Sequence, residues 1–343
     1  MIDLQKLARP EILALQPYRS ARDEYDDRAT VFLDANETPY GQLNRYPDPW
    51  QRQLKTLLAD RQGVRPANIF IGNGSDEVID LALRIFCRPG QDKALTFYPG
   101  YSMYGVSAAF NGVEFLQLAL TPDFQLDTVR LSPYLADNQL KLIFLCSPNN
   151  PTGNLLNPTD VEFVLNRFSG LVVLDEAYIE FSEAESWVAR LAQYPNLIVS
   201  QTLSKAWGLA AARVGVAYAH EEIMALFNKV KPPYNVSTLN QQAAIAALQR
   251  PDVLARNRQA VLEEKERVAA ALQQLALVKK VYPSEANFLL VEVQEADRLY
   301  KQLLARGIVV RNRNSLVPDC LRLTIGTPAE NTRLINALNE LSE

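Results

Sequence analysis

The sequence predicts an α/β fold: a large domain with a mostly parallel sheet covered by helices, followed by a smaller α+β domain. Three observations lead there. Short, continuous apolar runs recur through the middle of the chain, and segments of helical period separate several of them. After about residue 250 the pattern changes to a long charged helical stretch followed by short strands and a helix. Continuous apolar strands separated by helices indicate a mostly parallel sheet buried on both faces.

The predicted strands of the large sheet are Ile69–Ile71, Lys93–Phe97, Glu114–Leu118, Leu140–Cys146, Leu171–Asp175, Leu197–Gln201 and Val214–Ala219. Helical periods run from Asp76 to Phe86 and from Pro158 to Phe168. In the last third, a helix from about Pro251 to Leu275 leads to strand-like Phe288–Val293, a helix near Ala296–Arg306, then Ile308–Arg311 and Leu321–Ile325. The expected division is 1–40 as an N-terminal arm and part of the small domain, 41–250 as the large domain, and 251–343 as the small domain. Whether the arm packs on the small domain or on a partner chain is open from sequence. A length of 343 residues agrees with about two domains at roughly 150 residues each.

Composition excludes several classes. The net charge is −4 and 22% of residues are charged, which gives no general attraction to nucleic acid or anionic membrane. The N-terminal stretch lacks a basic-then-apolar signal pattern, and no apolar run is long enough for a membrane-spanning helix. Cys87, Cys146 and Cys320 are scattered and odd in number, as expected of reduced thiols in a cytoplasmic protein. The one histidine, His220, rules out a His-rich metal site, so no metal is expected. It precedes Glu221–Glu222 at a predicted helix start and reads as an ordinary surface residue.

Several strand ends carry residues with chemistry. In "LIFLCSPNNPTGN" a buried strand stops at Pro148-Asn149-Asn150-Pro151-Thr152-Gly153. That is either a plain turn or an amide aimed at a docked group. In "LVVLDEAYIEF" Asp175 ends a buried strand, where an acid is costly unless paired with a cation or strong donor. Tyr178 follows three residues on. In "SQTLSKAWGLAAARVG" Lys205 sits among small and apolar residues, a setting that lowers a lysine pKa and suits Schiff-base chemistry; a solvated loop lysine is the plainer alternative. Thr202, Ser204 and Arg213 nearby are the neutral donors and fixed fork that a phosphate needs.

"IFIGNGSDEVIDLALRIF" runs strand, Gly-rich turn, helix. Ser75 is placed to cap the helix, Asp76 suits its positive end, and its free N–H groups would also bind phosphate. It is neither a Walker loop nor the dinucleotide fingerprint. "YPGYSMYG" offers Tyr98, Tyr101 and Tyr104, each able to stack on a planar ring. Together these strand ends supply a phosphate cradle, a stacking ring, a neutral amide, a buried acid and an activated lysine. A flat, cationic, phosphorylated heteroaromatic aldehyde uses all five, which describes pyridoxal 5'-phosphate.

The stretches "QPYRSARDE", "LDANETPYG", "NRYPDP", "GNGSDE", "CSPNNPTGN", "LDEAYIEF", "TLSKAWGLAAARVG", "GIVVRNRN" and "CLRLTIGT" carry a wider likeness. Over nearly its whole length the chain resembles the fold-type-I pyridoxal-phosphate aminotransferases, and within them the histidinol-phosphate aminotransferases. The resemblance implies that Lys205 carries the cofactor covalently and that Asp175 pairs with the pyridine nitrogen. It implies that Tyr178 and Asn150 bond the ring hydroxyl and that Tyr101 stacks on the ring. Ser75, Asp76, Thr202, Ser204 and Arg213 would hold the cofactor phosphate. Tyr46 would reach the neighbouring cofactor across a homodimer, while Tyr18, Asn36, Arg311 and Arg322 would line the substrate pocket.

The implied reaction is amino transfer between L-histidinol phosphate and 2-oxoglutarate, giving imidazole acetol phosphate and L-glutamate in L-histidine biosynthesis. Relatives of the same fold that act on aromatic amino acids or decarboxylate threonine phosphate are the alternative. A cofactor-binding transcription factor is disfavoured because no spare basic helix-turn-helix segment exists. One departure from the resemblance is Trp207, where Phe or Tyr is more familiar. It removes no chemical group.

Overall fold

The computed structural model describes residues 3–17 and 30–342. Seven strands form the large sheet: β1 (Ile69–Asn73), β2 (Lys93–Tyr98), β3 (Glu114–Ala119), β4 (Leu140–Cys146), β5 (Leu171–Asp175), β6 (Leu197–Thr202) and β7 (Val214–Ala219). Their order is β1-β7-β6-β5-β4-β2-β3. Only β7 is antiparallel to its neighbours, β6 and β1; every other pairing is parallel.

Period-2 alternation sends successive side chains to opposite faces. On β5, Val172 and Leu174 join one apolar cluster while Leu171 and Val173 join the other; on β4, Ile143 and Leu145 oppose Leu142 and Phe144 in the same way. Both faces are therefore dry, and that is why these strands read as unbroken apolar runs. The covering helices are α1 (Leu4–Leu7), α2 (Pro10–Ala14), α3 (Arg52–Gln62), α4 (Ser75–Phe86), α5 (Met103–Phe110), α6 (Thr128–Leu131), α7 (Pro158–Arg167), α8 (Glu221–Val230) and α9 (Thr238–Leu248).

The smaller unit follows: α10 (Pro251–Leu272), β8 (Val278–Val281), β9 (Phe288–Val293), α11 (Ala296–Ala305), β10 (Arg311–Asn312), β11 (Cys320–Thr324) and α12 (Pro328–Ser342). Its four strands run β10-β11-β9-β8, antiparallel throughout, over a separate core that includes Leu272, Leu289, Val291, Leu303 and Leu323. The three cysteines are free and buried. Among the described residues, no helix is long and apolar enough to cross a membrane.

Three local expectations are corrected, and one unexpected strand appears. The strand expected over Ile308–Arg311 pairs only at Arg311 and Asn312. Ile308 and Val310 still pack on the small core, but without ladder bonds. Ser75 is not the cap of α4. Gly74 holds that position with φ +79°, and Ser75 is the first helical residue. A Cβ at Gly74 would lie 2.4 Å from an Arg213 guanidinium nitrogen, so glycine serves both the backbone angle and the close approach. Part of the N-terminal arm was expected with the small domain. Instead Ala8 is buried in a large-unit cluster with α4 and α8, Arg9 N–H donates to the Ile85 carbonyl at 2.9 Å, and Lys229 Nζ donates to the Leu13 carbonyl at 2.7 Å. Finally, β8 is a strand that the pattern Val278-Lys279-Lys280-Val281 conceals, being a short lysine-bearing edge.

Candidate active site

Parallel sheets place ligands beyond the carboxyl ends of their strands. Register aligns those ends here. Cys146 stands opposite Asp175, and Asp175 opposite Ser200. Because β7 runs the other way, its start lies at the same edge, so Arg213 meets the end of β1, where Asn73 pairs Val214. A cavity of about 430 Å³ opens at this edge, with β10 and β11 of the small unit closing one side. Ser75, Asp76, Tyr101, Asn150, Asp175, Tyr178, Thr202, Ser204, Lys205, Arg213, Arg311 and Arg322 all line it.

Asp175 is buried and stands at the cavity floor. Its Oδ2 accepts the Tyr104 hydroxyl at 2.8 Å and its Oδ1 accepts the Ala177 N–H at 3.1 Å. Burial nonetheless pushes its pKa up to about 6, because two neutral donors do not replace a cation. Tyr104 is wholly buried and stacks on Phe144 at 4.9 Å. Its role as the donor to Asp175 is one that sequence reasoning missed. The signal was present only as a tyrosine among three.

Lys205 is exposed to the cavity, with Nζ 5.5 Å from the centre of the Tyr178 ring. The surrounding protein, then the charge of Arg322, lowers its pKa, while Asp175 and Asp76 act the other way. Asn150 is buried and bridges both units. Its amide nitrogen is 3.5 Å from the Tyr178 hydroxyl, and its Oδ1 accepts from Arg322 at 2.5 Å. The amide is therefore aimed inward, so the loop after β4 is more than a turn. Tyr178 packs edge-on against Phe288 of the small unit at 5.1 Å.

At the other end, Asp76 accepts the Tyr101 hydroxyl at 3.1 Å and faces Arg213 at 3.5 Å. The first-turn N–H groups of α4, the Ser204 side chain and the Arg213 fork converge there, the donor set of an anion site. Thr202 is buried beside them and its hydroxyl accepts the Ser204 N–H at 3.2 Å. Arg213 has φ +50°, a conformation that costs a non-glycine residue about 1 kcal/mol or more.

Not every expected residue reaches this cavity. Asn36 and Tyr46 do not line it; Tyr46 stacks on Tyr234 at 4.3 Å. Tyr18 lies outside the described residues. Arg313, two residues beyond Arg311 and not among the expected site residues, does line it.

Behind the lysine turn, Trp207 Nε1 donates to Glu180 Oε1 at 3.0 Å, and Arg61 lies 4.8 Å from the indole centre. Glu180 Oε2 is buried without a hydrogen-bond partner among the described residues, and burial pushes this pKa up to about 7. The folded protein thus holds a proton that the unfolded chain releases near pH 4.5. Stability from this group is full at low pH and is lost as pH rises toward 7. Glu180→Gln is expected to flatten that decline by about 3 kcal/mol between pH 4 and 8, read from urea unfolding across the range. An unchanged slope would show that Glu180 stays ionised.

The comparisons agree with this geometry. A family described as aminotransferase class I and II matches residues 24–338. A histidinol-phosphate aminotransferase of Bacteroides fragilis is 50% identical over 344 residues, covering 99% of both chains. One from Flavobacterium johnsoniae is 46% identical over 346 residues, again 99% of both. The crystal structure of histidinol-phosphate aminotransferase from Sinorhizobium meliloti, in complex with pyridoxal-5'-phosphate, aligns with a TM-score of 0.80. It is 27% identical and the alignment covers 90% of this chain and 89% of that one. A match that runs through both units, joined to a lysine, a buried acid and an anion cradle at one sheet edge, leaves one conclusion: the chain belongs to the class I and II aminotransferases and has their fold.

Proposed function

We propose that the protein transfers the amino group between L-histidinol phosphate and 2-oxoglutarate with pyridoxal 5'-phosphate as cofactor, giving imidazole acetol phosphate and L-glutamate in L-histidine biosynthesis. The observation that carries the substrate choice is the arginine wall. Arg322 and its cross-strand partner Arg311 face the cavity that Lys205 enters, and an amino substrate with an anionic tail fits between them. Relatives named for this activity, 43–50% identical over nearly the full length, support it.

The residues fit the cofactor. Ser75, Asp76, Thr202, Ser204 and Arg213 would hold its phosphate, and Tyr101 would face the ring. Asn150 and Tyr178 would bond the ring hydroxyl. Asp175, lacking a cationic neighbour that offsets its burial, would be returned toward the carboxylate by a protonated ring nitrogen. When bound, the cofactor supplies an electron-withdrawing ring that acidifies the carbon bearing the substrate amine. Lys205 Nζ, lowered in pKa, would then take and return that proton. Arg322 would grip a phosphate in one half-reaction and a carboxylate in the other. Because the loaded enzyme would retain the amino group between the two half-reactions, ping-pong kinetics are expected.

A screen of amino donors with 2-oxoglutarate tests the reading. Histidinol phosphate is expected to give the highest kcat/KM among histidinol phosphate, histidine, phenylalanine and threonine phosphate. Faster turnover of phenylalanine, or release of carbon dioxide from threonine phosphate, would assign the chain to a sister activity.

The working unit in this reading is a cytoplasmic homodimer. Residues 30–50 form no helix or strand and expose Leu33, Tyr40 and Leu43, an apolar stretch of the kind that partner chains cover. Tyr46, with Asn36 and Tyr18, would act in the partner's site. Mixing Lys205→Ala with Tyr46→Phe chains would put both lesions in one site of each heterodimer. Random reassociation should recover about a quarter of wild-type activity. No recovery, despite proven heterodimers and a strong Tyr46 defect, would place Tyr46 within its own site.

A further inference from the structure

Three guanidiniums of the small unit, those of Arg311, Arg313 and Arg322, meet at one cavity. Arg311 lies in β10, and Arg313 directly follows that strand, its N–H donating to the Cys320 carbonyl at 2.9 Å. Arg322 lies directly across from Arg311.

Like charges facing each other on a sheet repel, and the nearby acids are committed elsewhere. Asp297 holds the same segment by accepting the side-chain amides of Asn312 and Asn314, at 2.6 and 2.9 Å. Asp319 pairs with Lys279 at 2.9 Å, and Asp76 faces Arg213. Arg322 has the neutral Asn150 amide as its hydrogen-bond partner. The Arg313 side chain has no hydrogen-bond or ion-pair partner among the described residues, and its Nε, like that of Arg322, is buried and unbonded. Burial, then the charges of Arg322 and Arg311, brings the Arg313 pKa down to about 10.

We propose that Arg313 is a third ligand of the substrate's phosphate and sets the preference for a dianion over a carboxylate in the shared pocket. This rests on the histidinol-phosphate reading. A carboxylate has one charge and two oxygens, which a single fork satisfies. A phosphomonoester has nearly two charges and three terminal oxygens, so it rewards further forks. Arg313 is thus a selectivity residue whose desolvation a carboxylate does not offset.

The test uses the cofactor-loaded enzyme, with Arg313→Gln and Arg313→Lys, and inorganic phosphate as a competitive inhibitor of the glutamate half-reaction. In Arg313→Gln the phosphate inhibition constant is expected to rise about 10- to 100-fold, and kcat/KM for histidinol phosphate to fall alike. The loss with glutamate should be smaller by about tenfold or more. Arg313→Lys, which keeps the charge but loses the fork, should fall between. The unfolding temperature without phosphate should hold, while the rise produced by phosphate shrinks. Equal losses for glutamate and phosphate, or unchanged phosphate inhibition, would overturn the role. So would loss of fold in both variants, which would mark Arg313 as structural. If phosphate binds through Arg313 but the wild-type enzyme refuses histidinol phosphate, the substrate reading falls and the dianion ligand stands.

Discussion

Lys205→Ala is expected to abolish transamination and to remove the pH-sensitive visible absorbance of the loaded enzyme. Among the described residues Lys205 is the one amine that lines the cavity, set 5.5 Å from the Tyr178 ring centre with a lowered pKa. Two roles vanish together, covalent attachment and proton transfer. The second alone contributes roughly 10²- to 10⁴-fold in enzymes of this kind of chemistry. Cofactor should still bind, through the anion cradle around Arg213, but borohydride should no longer fix it to the chain. Retained turnover, with the reduced adduct mapped to a different lysine, would remove Lys205 from the mechanism.

Asp175→Asn tests a charge while keeping a shape. With the ring nitrogen bound, a neutral amide would no longer hold it protonated, and the proton-transfer step should slow by about three orders of magnitude. The cofactor-free protein should respond in a different sense. Asp175 holds its proton more tightly folded, to about pH 6, than unfolded, so stability from this group declines as pH rises through 4 to 6. The asparagine removes that decline. It also leaves one oxygen for two donors, the Tyr104 hydroxyl and the Ala177 N–H. A flatter pH–stability profile with collapsed turnover is therefore the expected pair of results. Near-normal turnover with bound cofactor would mean that another group does this work.

The large sheet was legible because burial on both faces leaves continuous apolar runs on its inner strands, and the edge strand β3, with no fully buried residue, still falls where it was expected. The cavity lining was legible for a related reason. Motifs that follow parallel strands must meet at one edge, whatever the loops do in detail. What escaped notice depends on rotation and length. Tyr101 precedes α5 and Tyr104 lies in its first turn, and which of them bonds Asp175 is set by packing, not by spacing. Arg313 stayed hidden because β10 is too short to display an alternation. The Gly74 cap was misassigned by one residue because Ser75 has the better side chain, while only glycine meets the backbone angle beside Arg213. Asn36 and Tyr46 lie outside the lining of the cavity, so their expected roles rest on the resemblance alone.

The Asn150 loop also touches the small unit directly. Gly153 has φ +84°, and its carbonyl accepts the Glu285 N–H at 2.8 Å. A Cβ at Gly153 would collide with the Ser284 hydroxyl and Cβ, so only glycine lets the loop approach the Ser284 side chain this closely. Asn150 and Gly153 belong to the same tight loop, and the hydrogen bond that Arg322 donates to Asn150 Oδ1 crosses between the same two units. The loop therefore works as a rigid coupling with two attachment points. Any rocking of the small sheet strains the peptide and the amide together, and hydrogen exchange at the Glu285 N–H should report that motion.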